Sequence, residues 1–144
     1  MLYLDTSCWL KVFFPEPETS RTLELIAADD RVVLSTLGRL EGLSHVHARV
    51  AGGTLPRSRA RRMIAQMDAV LRQAPYELAS WPAEAWNRAE SRVRLLGKAE
   101  HCRTLDRLHL GCMSALGLRR ILTNDDAQAR AARAAGFEVV LPRA

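Results

Sequence analysis

Short apolar runs alternate along the chain with longer stretches in which apolar residues recur three or four apart. The compact runs are Leu2 to Leu4, Val32 to Ser35, Tyr76 to Ala79, Arg119 to Thr123 and Glu138 to Leu141. Their length suits buried strands. Leu40, Leu43, Val46 or His47, and Val50 carry helical spacing after the second run. Leu105, Leu108, Cys112 and Ala115 carry it before the fourth, with Gly117 as a stop. Pro56 and Pro82 stand where helices begin, and Gly136 closes the last helix before its strand. Strands alternating with helices predict an α/β fold, layered around a largely parallel sheet. Trp9, Phe13, Phe14, Trp81 and Trp86 are assigned to its core.

Length and composition narrow this to one domain over residues 1–144. A chain of that size buries roughly 70% of its unfolded surface. There are no repeats or linkers, and AGGTLPRSRARR is the one flexible turn, between two helices. No apolar run approaches a membrane span, and the start MLYLDTSCWLKVFFPEPE lacks the layout of a signal peptide, so no membrane association and a cytoplasmic location are expected. Cys8, Cys102 and Cys112 are odd in number and unpaired in spacing, which predicts reduced thiols. His101 beside Cys102 has no second cluster to make a zinc site. The net charge is +5 and rests almost wholly on arginine, whose planar fork suits phosphate.

Four acids change the picture. Each has a local explanation: Asp5 suits the cap of a helix starting near Ser7, Glu41 and Asp106 lie early in helices, where the dipole favours acids, and Asp125 with Asp126 stands at the acidic start of the last helix. Ligands of an open parallel sheet bind outside the carboxyl ends of its strands. Asp5 ends the first strand, and Asp125 follows the fourth. Glu41 is in the helix leaving the second strand, and Asp106 begins a helix that starts at the same edge. Four carboxylates gathered there repel one another unless a cation neutralises them, which implies a divalent metal. Oxygen-only ligands favour magnesium, with manganese possible, over zinc. Asp126 has Arg130 four residues on, the spacing of an exposed helical ion pair, whereas Asp125 has no local cation. Asp125 is therefore expected inward and Asp126 outward.

MLYLDTS, LSTLGRLEG, RTLDRLHLGCMSALG and ILTNDDAQARAARAAGFEVV, in that order, resemble the PIN-domain nucleases, in particular the VapC-type ribonuclease toxins of toxin–antitoxin pairs. The resemblance spans essentially the whole chain. It implies a three-layer α/β/α sandwich and a magnesium-dependent endoribonuclease that hydrolyses RNA phosphodiester bonds. It also implies a cognate antitoxin and a homodimer, with the apolar CWLKVFFPEPE segment as a candidate contact surface. Carried over, Asp5, Glu41, Asp106 and Asp125 are the catalytic acids. Asp5 and Asp106 are the best direct metal ligands, and Glu41 and Asp125 bind directly or through water. Ser7 and Thr123 are supporting hydroxyls. A one-residue shift in Asn124-Asp125-Asp126 would install Asp126 in place of Asp125.

Arg57, Arg59, Arg61 and Arg62 form a basic patch that reads as a solvated helix face or as a phosphate track for RNA. Arg39, Arg103 and Arg107 are expected nearer the acids, as substrate contacts. His45 and His47 are candidates for RNA or a partner, and His109 is read as structural. Two other PIN readings are an RNA-processing nuclease outside any toxin pair and a non-catalytic binding module; the latter predicts missing acids, and none is missing. A haloacid-dehalogenase-like phosphatase needs a second acid two residues after Asp5, where Ser7 stands.

Overall fold

Successive strand residues point to opposite faces of a sheet, and here both faces are apolar, so the sheet is covered on both sides. The structure, a computed structural model, describes residues 1–143. Its strands are β1 (Leu2–Leu4), β2 (Val32–Ser35), β3 (Tyr76–Ala79), β4 (Arg120–Leu122) and β5 (Glu138–Val140). They pair in parallel throughout, in the order β3-β2-β1-β4-β5. The helices are α1 (Thr6–Lys11), α2 (Thr19–Ala27), α3 (Thr36–Ala51), α4 (Arg57–Val70), α5 (Glu84–Val93), α6 (Thr104–Ala115) and α7 (Asp126–Ala134).

Leu2, Leu4, Val32, Leu34 and Leu122 pack with Cys8, Trp9, Ile26, Val46 and Met67, which belong to α1 through α4. The intervening Tyr3, Val33 and Ile121 pack with Ala85, Leu110, Met113, Ala131 and Ala132, from α5 through α7. Alternation within three-residue strands thus builds two cores and the expected three layers. Burying each large apolar side chain contributes about 1.5–3 kcal/mol, which outweighs the weak intrinsic preferences of such short strands. On the second face α5 and α6 lie close because Gly111 is small: a Cβ there would stand 2.4 Å from the Ala85 carbonyl oxygen. Gly117 and Gly136 have φ of +69° and +85°, the left-handed conformation that ends α6 and α7.

Trp86, assigned to the core, lies outside it, as do two apolar positions of the helical spacing. Leu40, Leu105 and Trp86 are exposed, and with Leu37, Trp81 and Leu108 they line an open apolar groove of about 360 Å³. Helical spacing alone therefore overcounts the buried faces of α3 and α6. Of Val46 and His47, Val46 is buried and His47 is exposed.

Connections from β1 run through β2 to β3 on one side, and from β4 to β5 on the other. The order therefore reverses between β1 and β4, and the crevice at their carboxyl ends is the topological switch point where ligands bind in such sheets.

Candidate active site at the switch point

Asp5 leaves β1 with its backbone N–H on the Leu122 carbonyl oxygen, 3.0 Å away, which fixes it against β4. It caps α1 as its sequence position suggests, accepting from Ser7 N at 3.1 Å. The same oxygen, Oδ2, accepts from Ser7 Oγ at 2.6 Å and from Thr123 Oγ1 at 3.1 Å. Ser7 and Thr123 also tie down the opposite loop. Ser7 Oγ accepts from Asn124 N, and Thr123 Oγ1 accepts from Asp125 N and reaches Gln128 Oε1. Among the described residues no donor reaches Asp5 Oδ1.

Glu41 is held from two sides through Oε2, by Thr6 Oγ1 at 2.5 Å and His109 Nε2 at 2.6 Å. His109 is 1% exposed, and its Nδ1 lies 2.6 Å from the hydroxyl of buried Tyr3, which donates to Ser35 Oγ at 2.9 Å. Burial opposes a charge on His109, but the hydrogen bond to Glu41 and the charges of Asp5, Glu41 and Asp106 together raise its pKa. Burial likewise works against ionised Glu41, yet His109, Thr6 and the charge of Arg103 hold its pKa below the ordinary value. The other carboxylate oxygen, Oε1, has no donor among the described residues.

Asp106 lies in the first turn of α6 and is buried. Burial raises its pKa, the Asp125 and Asp5 charges add to the rise, and Arg103 opposes it. Asp125 caps α7, with Oδ1 accepting from Gln128 N at 2.8 Å. Its Oδ2 accepts from Arg103 Nη2 at 2.9 Å. Arg103 also spans Asp106, with Nε 2.9 Å from Oδ2. The four expected acids thus share one edge: the charges of Asp5 and Asp125 act on Asp106, and Glu41 is tied in through His109 and the charge of Arg103. Among the described residues, no three acids, histidines or cysteines already converge as ligands of an ion do. The donor chemistry suits a hard divalent cation: Asp5 Oδ1 and Glu41 Oε1 are uncommitted oxygens, and the side-chain amide oxygen of Asn124, Oδ1, is buried without a partner.

Asp126 is 82% exposed and points away from this cluster. It does not pair with Arg130, as helical spacing suggests, but with Arg143. Arg130 turns instead to the His101 carbonyl oxygen. Of the arginines expected near the acids, only Arg103 reaches them. Arg39 pairs with Asp68, and Arg107 is buried against Glu100. Arg57 and Arg61 lie beside Val46, Val50 and Ala51, at the end of α3 remote from Glu41. At 1.5 Å per residue, Ala51 is about 15 Å along that helix from Glu41, so this patch does not border the acids. The Tyr3–His109–Glu41 link was not foreseen; the one signal for it is the polar His109 on an apolar helix face.

A family model described as PIN domain matches residues 2–134. The chain belongs to the PIN domain family. Among solved structures, this PIN domain is similar to a chain of VapBC2 from Rickettsia felis bound to a promoter DNA fragment, with a TM-score of 0.71, 17% identity and 98% of each chain covered. It is also similar to VapC20 of Mycobacterium tuberculosis, a sarcin–ricin loop cleaving toxin, with a TM-score of 0.70, 16% identity and 95% and 96% covered. DNA-bound VapBC of Salmonella typhimurium gives 0.68, 16%, and 98% and 97%. At these identities the likeness is one of fold. Among curated proteins none matches the sequence.

Proposed function

We propose that this PIN domain is a magnesium-dependent endoribonuclease, the toxin of a toxin–antitoxin pair. The observation that carries the reading is the gathering of Asp5, Glu41, Asp106 and Asp125 at the switch-point edge, two of them presenting uncommitted oxygens. Asp5 and Asp106 are the proposed direct ligands, and Glu41 and Asp125 hold the ion directly or through water. Manganese fits the same oxygens. The chemistry a bound ion supplies is Lewis acidity toward the phosphodiester and its attacking water. The chain's own part is orientation. Ser7 and Thr123 turn Asp5 so that Oδ1 faces outward, and Thr6 with His109 does the same for Glu41 Oε1.

The partner reading draws on the fold neighbours, several of which are toxin–antitoxin complexes. It includes a cognate antitoxin, a homodimer and a cytoplasmic location; no described helix is long and apolar enough to cross a membrane. CWLKVFFPEPE offers less contact surface than its composition suggests. Trp9 is fully buried, and Phe14 is half-buried under Arg49, whose guanidinium carbon is 4.5 Å from the ring centroid. An apolar surface left open is the Leu40, Trp86 and Leu105 groove, of the kind that marks association sites.

The test is cleavage of RNA by the purified, partner-free chain. Chelation with EDTA abolishes cleavage, and excess magnesium restores it. Cleavage that persists undiminished in EDTA refutes the mechanism.

A further inference from the structure

We propose that Arg103 is an exchangeable internal counter-ion: its guanidinium holds the cation's place between Asp106 and Asp125 and leaves when a divalent ion binds. This rests on the reading above that the acids hold such an ion. Arg103 occupies both oxygens of Asp106, Nε on Oδ2 at 2.9 Å and Nη2 on Oδ1 at 3.4 Å. Nη2 also takes Asp125 Oδ2 at 2.9 Å. The remaining Asp125 oxygen is committed to the cap of α7. Asp5 Oδ1 and Glu41 Oε1 therefore stand free of protein donors, whereas Asp106 and Asp125 are closed to an ion until Arg103 moves. This accounts for four acids that share an edge without converging.

The attachment is built to be broken. Asp106 is 10% exposed, whereas the Arg103 side chain is 74% exposed and is held, among the described residues, only by the two carboxylates. Pairs with an exposed partner are individually weak, since water competes for the guanidinium. Arg107 shows the contrast: it is buried against Glu100 and cannot swing. Without a cation, four carboxylates at one edge repel, and Arg103 offsets that repulsion while the site is vacant. An ion that takes Asp106 or Asp125 must first displace it, so apparent affinity is the intrinsic affinity multiplied by the fraction of molecules in which Arg103 is already away.

The experiment titrates manganese into the EDTA-stripped full chain by calorimetry, comparing wild type with Arg103→Gln and Asp5→Asn. Arg103→Gln should bind about three- to tenfold more tightly than wild type, because the competitor is gone. In thermal unfolding it should be less stable than wild type without metal, and gain more from saturating manganese. Equal or weaker binding by Arg103→Gln, with binding lost in Asp5→Asn, overturns the counter-ion role and leaves the metal site standing. Binding that Asp5→Asn does not weaken places the ion elsewhere and overturns both.

Discussion

At the residue scale, the site rests on side chains that use one oxygen for the fold and keep one for chemistry. Asp5 caps α1 and Asp125 caps α7, so the local roles apparent in sequence and the proposed catalytic ones are not alternatives. His109 makes a testable contribution. Its pKa is raised in the fold, so its stabilisation is fully present below the ordinary histidine value of about 6.5 and is lost as pH rises through the raised value. Glu41, with a lowered pKa, has the opposite sign and loses its share only as pH falls through the acid range. Urea melts in EDTA between pH 6.5 and 8 should show wild-type stability falling with pH and the His109→Gln variant nearly flat. Parallel slopes would show that His109 holds no proton for Glu41. The acids could be read in the sequence because each follows a recognisable strand or begins a recognisable helix. Tyr3 and His109 could not be paired, because 106 residues separate them and a lone histidine on an apolar face has no local partner.

At the scale of elements, the five strands and the helices after β2 and before β4 follow from periodicity, since each buries a clear apolar face. Helix α2 is not marked in this way: only Thr22 and Ile26 of it are buried, and Leu23 is exposed. The close approach of α5 and α6 is likewise invisible in a pattern of apolar positions, because it depends on what Gly111 lacks. Gly111→Ala places a Cβ 2.4 Å from the Ala85 carbonyl oxygen and 3.0 Å from the Ala89 Cβ. Alanine favours a helix over glycine by about 1 kcal/mol, but forced overpacking costs about 1–3 kcal/mol, and here the obstacle is backbone. Denaturant unfolding should therefore show a net loss. A neutral or stabilised variant would mean that the helix pair relaxes freely.

At the scale of the whole molecule, strand order decides where chemistry can occur. The reversal between β1 and β4 opens one crevice, and the chain delivers an acid to it from the ends of both strands and from the starts of α3 and α6. Basic charge is distributed differently from what sequence proximity suggests. Arg57 and Arg61 stand by the distal part of α3, and of the arginines expected near the acids Arg103 is the one paired with them. Topology, not spacing along the chain, separates these groups. The central claim is that the four acids act as one cation-dependent centre cleaving RNA. Its most direct test is single-turnover RNA cleavage in magnesium by wild type, Asp5→Asn, Glu41→Gln, Asp106→Asn, Asp125→Asn and Asp126→Asn. Losing a stabilisation of several kcal/mol at the transition state should slow each of the first four variants by about a hundredfold or more, while Asp126→Asn stays within about twofold of wild type. Wild-type rates in Asp5→Asn and Asp106→Asn would contradict the account.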